Sequence, residues 1–326
     1  MNRPFRWVLR AGLVLSVLAA VAATWLLVLR PQRDARLLEA RTTAVPAVAP
    51  TEMTATWFGT TAVLLRAGDD ALMIDPFFTR PPGLWPLLRN AEIAPDQALI
   101  ERWLKKAGVT QLQAVLVSHS HYDHALDAGV VARLTGAKLI GSSSTASIGR
   151  GAGLAEDRIL VAAPEQPISL GPFTVRFIES RHAGATGGAP TGDITAPLIP
   201  PAHYLDYRQG GTWSILVEHA GGTVLHHGSA GFVPGALRGY RADMVVLGAA
   251  LVDDAEAYLR QTVDAVAAQR VMLTHWDDFT RGLERPLRPM PVVVDLAELL
   301  TALDRRRDVR VMVPVLAQSV PVRGES

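Results

Sequence analysis

Residues 114–124 of the chain, AVLVSHSHYDH, place four side chains that can bind a metal directly after a short apolar run. The apolar part, residues 114–117, contains β-branched residues and is bounded by polar ones, which is typical of a buried strand. Residues 125–134 carry apolar side chains at helical spacing. The sequence therefore predicts that the polar cluster lies on a loop between the end of a strand and a helix, where a rigid scaffold can hold several ligands around one point.

The spacing within this cluster suits metal binding. Imidazole nitrogens and carboxylate oxygens are both good ligands for zinc. His119 and His121 can bind one ion, while Asp123 and His124 bind a second ion beside it. Structural zinc sites more often use cysteine, and the chain has none. The alternative is an exposed polar loop that contains these histidines by chance, although histidine occurs only nine times in 326 residues.

The motif His119-x-His121-x-Asp123-His124 after a buried strand resembles the signature of the metallo-β-lactamase superfamily of metallohydrolases. This resemblance implies an α/β fold, a four-layer αβ/βα sandwich with the metal ligands on loops along one edge. It also implies hydrolysis by water that zinc activates, with Asp123 as both metal ligand and catalytic proton carrier. We expect one or two zinc ions per chain, and other divalent metals would suit the same ligands.

Two further histidines occupy positions that the resemblance assigns to ligands. His182 follows a predicted strand at 173–178, and His275 follows another at 271–273. A loop histidine without a role is the alternative for His182. The ligands implied by the resemblance are His119, His121 and His182 for one metal, and Asp123, His124 and His275 for the other.

Part of the sequence resembles one branch of this superfamily. Residues 54–65 and 71–74 are predicted as two strands of a hairpin that ends in Asp75-Pro76, as in the branch of ascorbate phosphate lactonases and N-acyl-phosphatidylethanolamine phospholipase D. The resemblance implies that Asp75 supports a ligand histidine, and turn chemistry before a proline is the alternative. The sequence departs from the superfamily at Ser229, where many members have an aspartate that bridges two metals. We therefore expect a weaker second metal or a single one.

Other polar and apolar segments are predicted to surround the site. Asp277 and Asp278 are candidates to orient His275 or to replace the missing carboxylate, and surface aspartates are the alternative. The loops at 77–95 and 183–211 either wall a pocket or cover core. The other predicted strands span 136–141, 158–161, 213–218, 223–226, 242–247 and 309–313, and the other predicted helices span 98–107, 254–269 and 296–303.

The N-terminal region has a different composition. Residues 7–29 are 23 mostly apolar residues with one charge, Arg10, which is long enough to cross a bilayer as a helix. A cleaved signal peptide, with small residues at 20–22, is the alternative. A single-pass signal anchor would place the rest of the chain in the periplasm or outside the cell, although arginines on both sides weaken the charge bias. The predicted regions are a tail at 1–6, a transmembrane signal anchor at 7–29, a stalk and linker at 30–50 and a hydrolase domain at 51–326.

Composition narrows the function further. The net charge is +1, so the sequence predicts no nucleic-acid partner. We expect a membrane-anchored hydrolase of a small-molecule or lipid ester, phosphodiester or lactone, and tethering favours a substrate derived from lipid or the cell envelope. A lactamase-like amide hydrolase is one alternative, because the ligand set lacks a bridging acid. A metal-binding module with little catalysis is the other.

Overall fold

The chain contains both runs of consecutive strands and strands separated by helices. The computed structural model describes residues 3–42, 52–81, 83–184 and 187–324. The strands are β1 Thr54–Trp57, β2 Val63–Ala67, β3 Asp70–Ile74, β4 Glu92–Ile93, β5 Ala114–Leu116, β6 Lys138–Gly141, β7 Ile159–Val161, β8 Ile168–Leu170, β9 Phe173–Glu179, β10 Ala202–His203, β11 Trp213–His219, β12 Gly222–His227, β13 Met244–Gly248, β14 Arg270–Thr274, β15 Arg310–Met312 and β16 Ser319–Pro321. The α-helices are α1 Arg3–Thr24, α2 Arg30–Glu39, α3 Leu84–Leu88, α4 Gln97–Lys106, α5 Tyr122–Ala125, α6 Ala128–Thr135, α7 Ser143–Gly151, α8 Ala255–Gln261 and α9 Leu296–Asp304.

Two seven-stranded sheets form the centre of the fold. The first has the spatial order β16-β1-β2-β3-β5-β6-β7, and the second has the order β15-β14-β13-β12-β11-β9-β8. Neighbours from β3 to β7 in the first sheet and from β12 to β15 in the second are parallel. Because the carboxyl ends of parallel strands meet at one edge, the loops that follow them lie close together.

Alternating side chains give the first sheet two buried faces. Leu64, Met73 and Val115 pack with helices α4 and α6 in one apolar cluster. Leu65 and Leu116 belong to a second cluster, which includes the other sheet together with α8 and α9. The layers are therefore helix, sheet, sheet and helix, and the predicted four-layer α/β arrangement is confirmed.

The prediction of one strand at 54–65 was wrong. The chain forms β1, reverses at 58–62 and returns as β2, which pairs antiparallel with β1. Gly59 and Thr60 have positive φ values of 87° and 47° in this reversal. The backbone N of Thr60 donates to the Asp277 carboxylate at 2.8 Å. A residue far along the sequence therefore stabilises the turn, which local strand propensity could not indicate.

Several other element boundaries also differ from prediction. The helix predicted at 254–269 ends at Gln261, and the helix predicted at 125–134 is divided between α5 and α6. The strand predicted at 309–313 is the edge strand β15, but β16 follows it and pairs with β1. The pattern analysis missed α7, β8 and the short pair β4–β10.

The N-terminal helix is nearly continuous. Helix α1 leads through a π-helical turn at Trp25–Leu29 into α2. The helix over Arg10–Glu39 contains an apolar stretch long enough to cross a membrane, and a signal sequence near an N-terminus would have the same property. Helix α2 packs on α9, where the Asp34 carboxylate accepts a hydrogen bond from the backbone N of Leu296 at 3.3 Å. Residues 43–50 of the predicted stalk and linker lie outside the described residues, as do residues 1–2 of the predicted tail.

Candidate metal centre

Five strands end beside one another, and polar side chains follow each end. Asp75 follows β3, residues 119–124 follow β5, and His182 follows β9. Ser229 follows β12, and His275 follows β14. The two sheets thereby bring side chains that are distant in sequence to one place.

Three histidines form the first group. The rings of His119, His121 and His182 lie around one point, with all three pairs of ring centroids 4.8 Å apart. One nitrogen from each ring lies within 4.8 Å of the others. The Nδ1 of His182 is 2.7 Å from the carbonyl of Ala183, which fixes the orientation of that ring. The sequence predicted this trio.

One carboxylate and two histidines form the second group. The Oδ2 of Asp123 lies 3.5 Å from Nε2 of His124 and 3.5 Å from Nε2 of His275. The two groups adjoin, because the ring centroids of His119 and His124 are 3.8 Å apart. All six residues that the sequence predicted as ligands therefore meet in two adjacent groups of three.

Burial sets the protonation of these side chains. It lowers the pKa of His121 and of His275 to about 4, and lowers the pKa of His119 well below its usual value. These imidazoles are neutral near pH 7, which is the form that binds metals. Burial alone would raise the pKa of Asp123, but His124 and His275 outweigh it and lower that pKa, so the carboxylate is ionised.

The side chains fit a divalent metal. Within the described part of the chain, Nε2 of His119 is buried without a hydrogen-bond partner. A buried polar atom left unpaired costs about 1–3 kcal/mol, which a ligand at that atom would offset. Imidazole with carboxylate is a donor set that suits zinc and related divalent ions.

Asp75 supports the second group from behind. Its Oδ2 lies 2.9 Å from Nδ1 of His124 and accepts hydrogen bonds from the hydroxyls of Ser118 and Thr61 at 2.6 and 2.9 Å. Its Oδ1 accepts from the backbone N of Ser118 at 2.7 Å. Asp75 therefore contacts one of the predicted ligand histidines, as the sequence led us to expect, and orients its ring.

Comparison with known proteins assigns the family. The model of the metallo-beta-lactamase superfamily matches residues 55–268, which is more than half of the chain. The chain belongs to the metallo-beta-lactamase superfamily. These comparisons support the superfamily and do not confirm the branch of ascorbate phosphate lactonases and N-acyl-phosphatidylethanolamine phospholipase D.

Individual superfamily relatives are distant. A UPF0173 metal-dependent hydrolase of Myxococcus xanthus (strain DK1622) is 27% identical over 183 residues, 56% of each chain. One from Anaeromyxobacter sp. (strain K) is 32% identical over 194 residues, 56% of this chain and 58% of the relative. The matches thus span little more than half the length of these curated relatives.

Solved structures share the superfamily fold. A metallo hydrolase from Ignicoccus hospitalis has a TM-score of 0.50 and 17% identity, covering 84% of this chain and 99% of its own. An isothiocyanate hydrolase from Delia radicum gut bacteria has a TM-score of 0.53 and 14% identity, covering 83% and 100%. At these identities the likeness concerns the fold alone.

Ser229 takes a different role from the bridging aspartate of many superfamily members. Its hydroxyl accepts a hydrogen bond from the backbone N of Ala183 at 2.9 Å. Ala183 directly follows His182, so Ser229 holds the loop that carries the third histidine of the first group. A hydroxyl is also a poorer ligand for a divalent ion than a carboxylate.

Asp277 and Asp278 do not replace the missing carboxylate in this superfamily site. Asp277 is fully buried and pairs with Arg80 at 2.6 Å. Asp278 is also buried and pairs with Arg288 at 2.8 Å. The alternative that they are surface aspartates was therefore wrong. Thr60 links Asp277 to His275 by hydrogen bonds. Its backbone N donates to the Asp277 carboxylate, and its carbonyl accepts from the backbone N of His275 at 2.7 Å.

A cavity of about 1090 Å³ opens onto both groups. His121 and Asp123 are in its lining, as are residues of the two loops that were predicted to wall a pocket, such as Leu87 and Pro190. Leu27 of the N-terminal helix also lines it. The volume is slightly above the roughly 300–1,000 Å³ usual for small-ligand sites.

The sequence analysis missed Arg80, whereas for His226 and His227 it considered hydrogen bonds near the site and assigned no metal. Arg80 lies in the 77–95 loop, lines the cavity and is buried. The Nδ1 of His227 is 2.7 Å from the Ser214 hydroxyl, and its Nε2 is 2.9 Å from the carbonyl of Gly231. Both roles depend on partners that are distant in sequence or beyond a turn, so no local motif marks them.

Proposed function

We propose that this protein is a membrane-anchored, metal-dependent hydrolase that acts on an ester, phosphodiester or lactone. The observation that carries the proposal is the meeting of six ligand-type side chains, from three strand ends, beside one large cavity. Membership of the superfamily supports the same reaction class. The relatives in Myxococcus and Anaeromyxobacter carry the name metal-dependent hydrolase.

The residues of the first group, His119, His121 and His182, would hold one ion, and those of the second group would hold another. A bound zinc ion supplies Lewis acidity, which makes water a nucleophile near neutral pH and stabilises negative charge on the substrate. The neutral imidazoles of His119, His121 and His275 can bind it without first losing a proton. Burial alone would lower the pKa of His124, but Asp123 and Asp75 raise it.

Asp123 is the catalytic carboxylate of the proposal. It is ionised and lines the cavity, so it can accept a proton from the attacking water and deliver it to the leaving group. Its contacts with His124 and His275 fix its orientation. The mostly apolar wall around it, which includes Phe279 and Met290, limits the entry of bulk water.

The test compares His121→Ala and Asp123→Ala with the wild type in the full chain in detergent. We expect both variants to lose hydrolysis of a lactone and a phosphodiester by at least about 100-fold, because each lacks a ligand or the proton carrier. Zinc per chain, from elemental analysis, should fall in both. His219→Ala, at the end of β11 and away from the cavity, is the control. Wild-type turnover in both site variants would refute the proposal.

A lactamase-like amide hydrolase is a second candidate, and Ser229 is the observation that favours it. The serine hydroxyl is engaged by Ala183, so the two groups lack a bridging carboxylate at this position. Turnover of a chromogenic cephalosporin with no turnover of esters would select it. Metal binding without turnover of any of these substrates would leave the binding-module alternative.

Membrane anchoring rests on the N-terminal helix. The apolar side chains of the candidate span are exposed, and its apolar run continues unbroken through Trp25–Leu29. A retained anchor predicts that the intact chain stays with membranes after carbonate extraction and keeps its first residues. A mature chain that begins near residue 23 would instead show a cleaved signal peptide.

A further inference from the structure

We propose that the cavity opens into the surface of a lipid bilayer and receives the apolar chain of a membrane amphiphile. This inference rests on the proposed hydrolase function and on the proposed anchor, and it adds the route by which a substrate arrives. The occupant of the exposed apolar surface around the cavity is then the bilayer itself.

The position of Leu27 joins the anchor to the cavity. Leu27 lines the same cavity as His121 and Asp123, although it belongs to the N-terminal helix. It lies three residues before Arg30, the first charge after the apolar run. At about 1.5 Å per residue, this places Leu27 roughly 4.5 Å inside the apolar end of the span. A cavity wall at that depth lies at the boundary between headgroups and acyl chains.

Three other residues of the cavity lining are also apolar and exposed. Leu205, Leu251 and Val292 line the cavity, and 50%, 40% and 58% of their surfaces are exposed. We call these three residues with Leu27 the cavity rim. Exposed apolar side chains that cluster around an opening mark an interaction surface, whereas single ones do not.

Backbone strain at the rim points in the same direction. Leu251 and Val292 have φ values of +58° and +68°. This region favours glycine, and a β-branched residue there is a rare outlier with a strained backbone. Two exposed apolar side chains in such conformations do not stabilise the fold by burial, so the strain is consistent with a functional surface.

Helix α3 extends the apolar surface. Leu87 lines the cavity, while Trp85 and Leu88 are 70% and 71% exposed. Tryptophan is enriched at the membrane–water interface, because its ring is apolar and its N–H can bond to headgroups. The guanidinium of Arg89 stacks on the Trp85 ring at 5.4 Å, which places a positive charge beside it.

Arginines give the surface charge complementarity to anionic lipids. Arg281, Arg285 and Arg288 all line the cavity. Asp278 neutralises Arg288, and the other two add positive charge to the lining. Basic residues near an anionic membrane surface are attracted to it electrostatically. The combination of apolar rim, tryptophan, arginines and an adjoining span fits a bilayer better than it fits a protein partner.

The test uses the absence of cysteine from the chain. Single variants Val292→Cys, Leu205→Cys and Val161→Cys of the full chain carry a nitroxide label in vesicles of phosphatidylcholine with phosphatidylglycerol. Val161 is the control, since it is 49% exposed on the edge strand β7 and outside the cavity lining. Collision rates with oxygen and with a water-soluble nickel chelate report the depth of each label.

We expect the oxygen-to-nickel ratio at 292 and 205 to exceed the ratio at 161 by about threefold or more, because oxygen concentrates in the bilayer and the chelate does not. Equal ratios at all three positions would overturn the proposal. Labels at 292 and 205 that are shielded from both reagents would also overturn it, since they would show a protein partner. Two rim positions guard against a single variant that fails to fold.

A second measurement links the surface to substrate entry. Val292→Glu should lower the turnover of a long-chain ester in vesicles, relative to a short-chain soluble ester, by about tenfold, because the charge disfavours contact with acyl chains. Val161→Glu should leave that ratio unchanged. An unchanged ratio in Val292→Glu would contradict entry from the bilayer. If wild type hydrolyses neither these esters nor the lactone and phosphodiester above, the proposed function fails, while the label measurement still decides the membrane surface.

Discussion

The buried ion pair of Arg80 and Asp277 provides a sharp test of how the site is held. Both side chains are fully buried, and Nη2 of Arg80 lies 2.6 Å from Oδ2 of Asp277. The other oxygen of Asp277 accepts a hydrogen bond from Thr60. Asp277→Asn keeps an oxygen for Thr60 but removes the counter-charge of Arg80. Breaking a buried pair in this way costs about 3–5 kcal/mol, because a charge remains buried without compensation.

The expected change in thermal stability is large. A loss of this size lowers the midpoint of unfolding by on the order of 10 °C in a domain of this length. Tryptophan fluorescence can report it in the full chain in detergent, since Trp57 and Trp276 pack with ring centroids 5.2 Å apart in the core. Arg150→Met is the matched control, because the Arg150–Glu156 pair is exposed and its loss should leave the midpoint unchanged.

A double variant separates the charge from other causes. Arg80→Met with Asp277→Asn removes the unpaired cation and keeps the volume apolar, so it should recover most of the stability. Interaction between the two substitutions then appears as non-additivity. A stability loss below about 1 kcal/mol in Asp277→Asn, or a double variant as unstable as the sum of the two single variants, would refute the reasoning.

Three further predictions follow from the same network of supports. Asp75→Asn should weaken zinc binding by about 10–100-fold, measured by competition with a chromogenic chelator, because the neighbouring histidine loses its orienting carboxylate. Burial raises the pKa of Asp127 to about 6, so its ionisation costs the folded chain up to about 3 kcal/mol as pH rises from 4 to 7. The unfolding midpoint of Asp127→Asn, minus that of the wild type, should therefore increase as pH rises. A difference that stays constant with pH would contradict this. Gly59→Ala should destabilise by at least about 2 kcal/mol, since its φ is +87° and a Cβ would lie 2.0 Å from Arg80. Gly68→Ala, with a φ of +61° and open space, should lose less.

Local sequence pattern was sufficient to predict the ligand-type residues that lie in one loop or directly follow a strand. The cluster at 119–124 lies in one loop, and the strands before it, before His182 and before His275 are apolar runs of ordinary length. A run of this kind must be buried, and parallel strand ends meet at one edge. The sequence could therefore predict that the ligand-type residues lie close together.

The supports of the site could not be predicted in the same way, because each depends on a partner that only the fold provides. Asp277 caps a turn 217 residues earlier in the chain, and Arg80 fills the space that a side chain at Gly59 would need. Local pattern predicts one strand over 54–65, because the hydrogen bond that stabilises the turn at 58–62 comes from this distant carboxylate. The same reasoning applies to Leu27, whose helix predicts a membrane span but not a place in the cavity wall. A buried charge, or an exposed apolar side chain, marks such residues when no neighbour in the sequence explains its position. The Arg80–Asp277 ion pair and the cavity rim are examples of each kind.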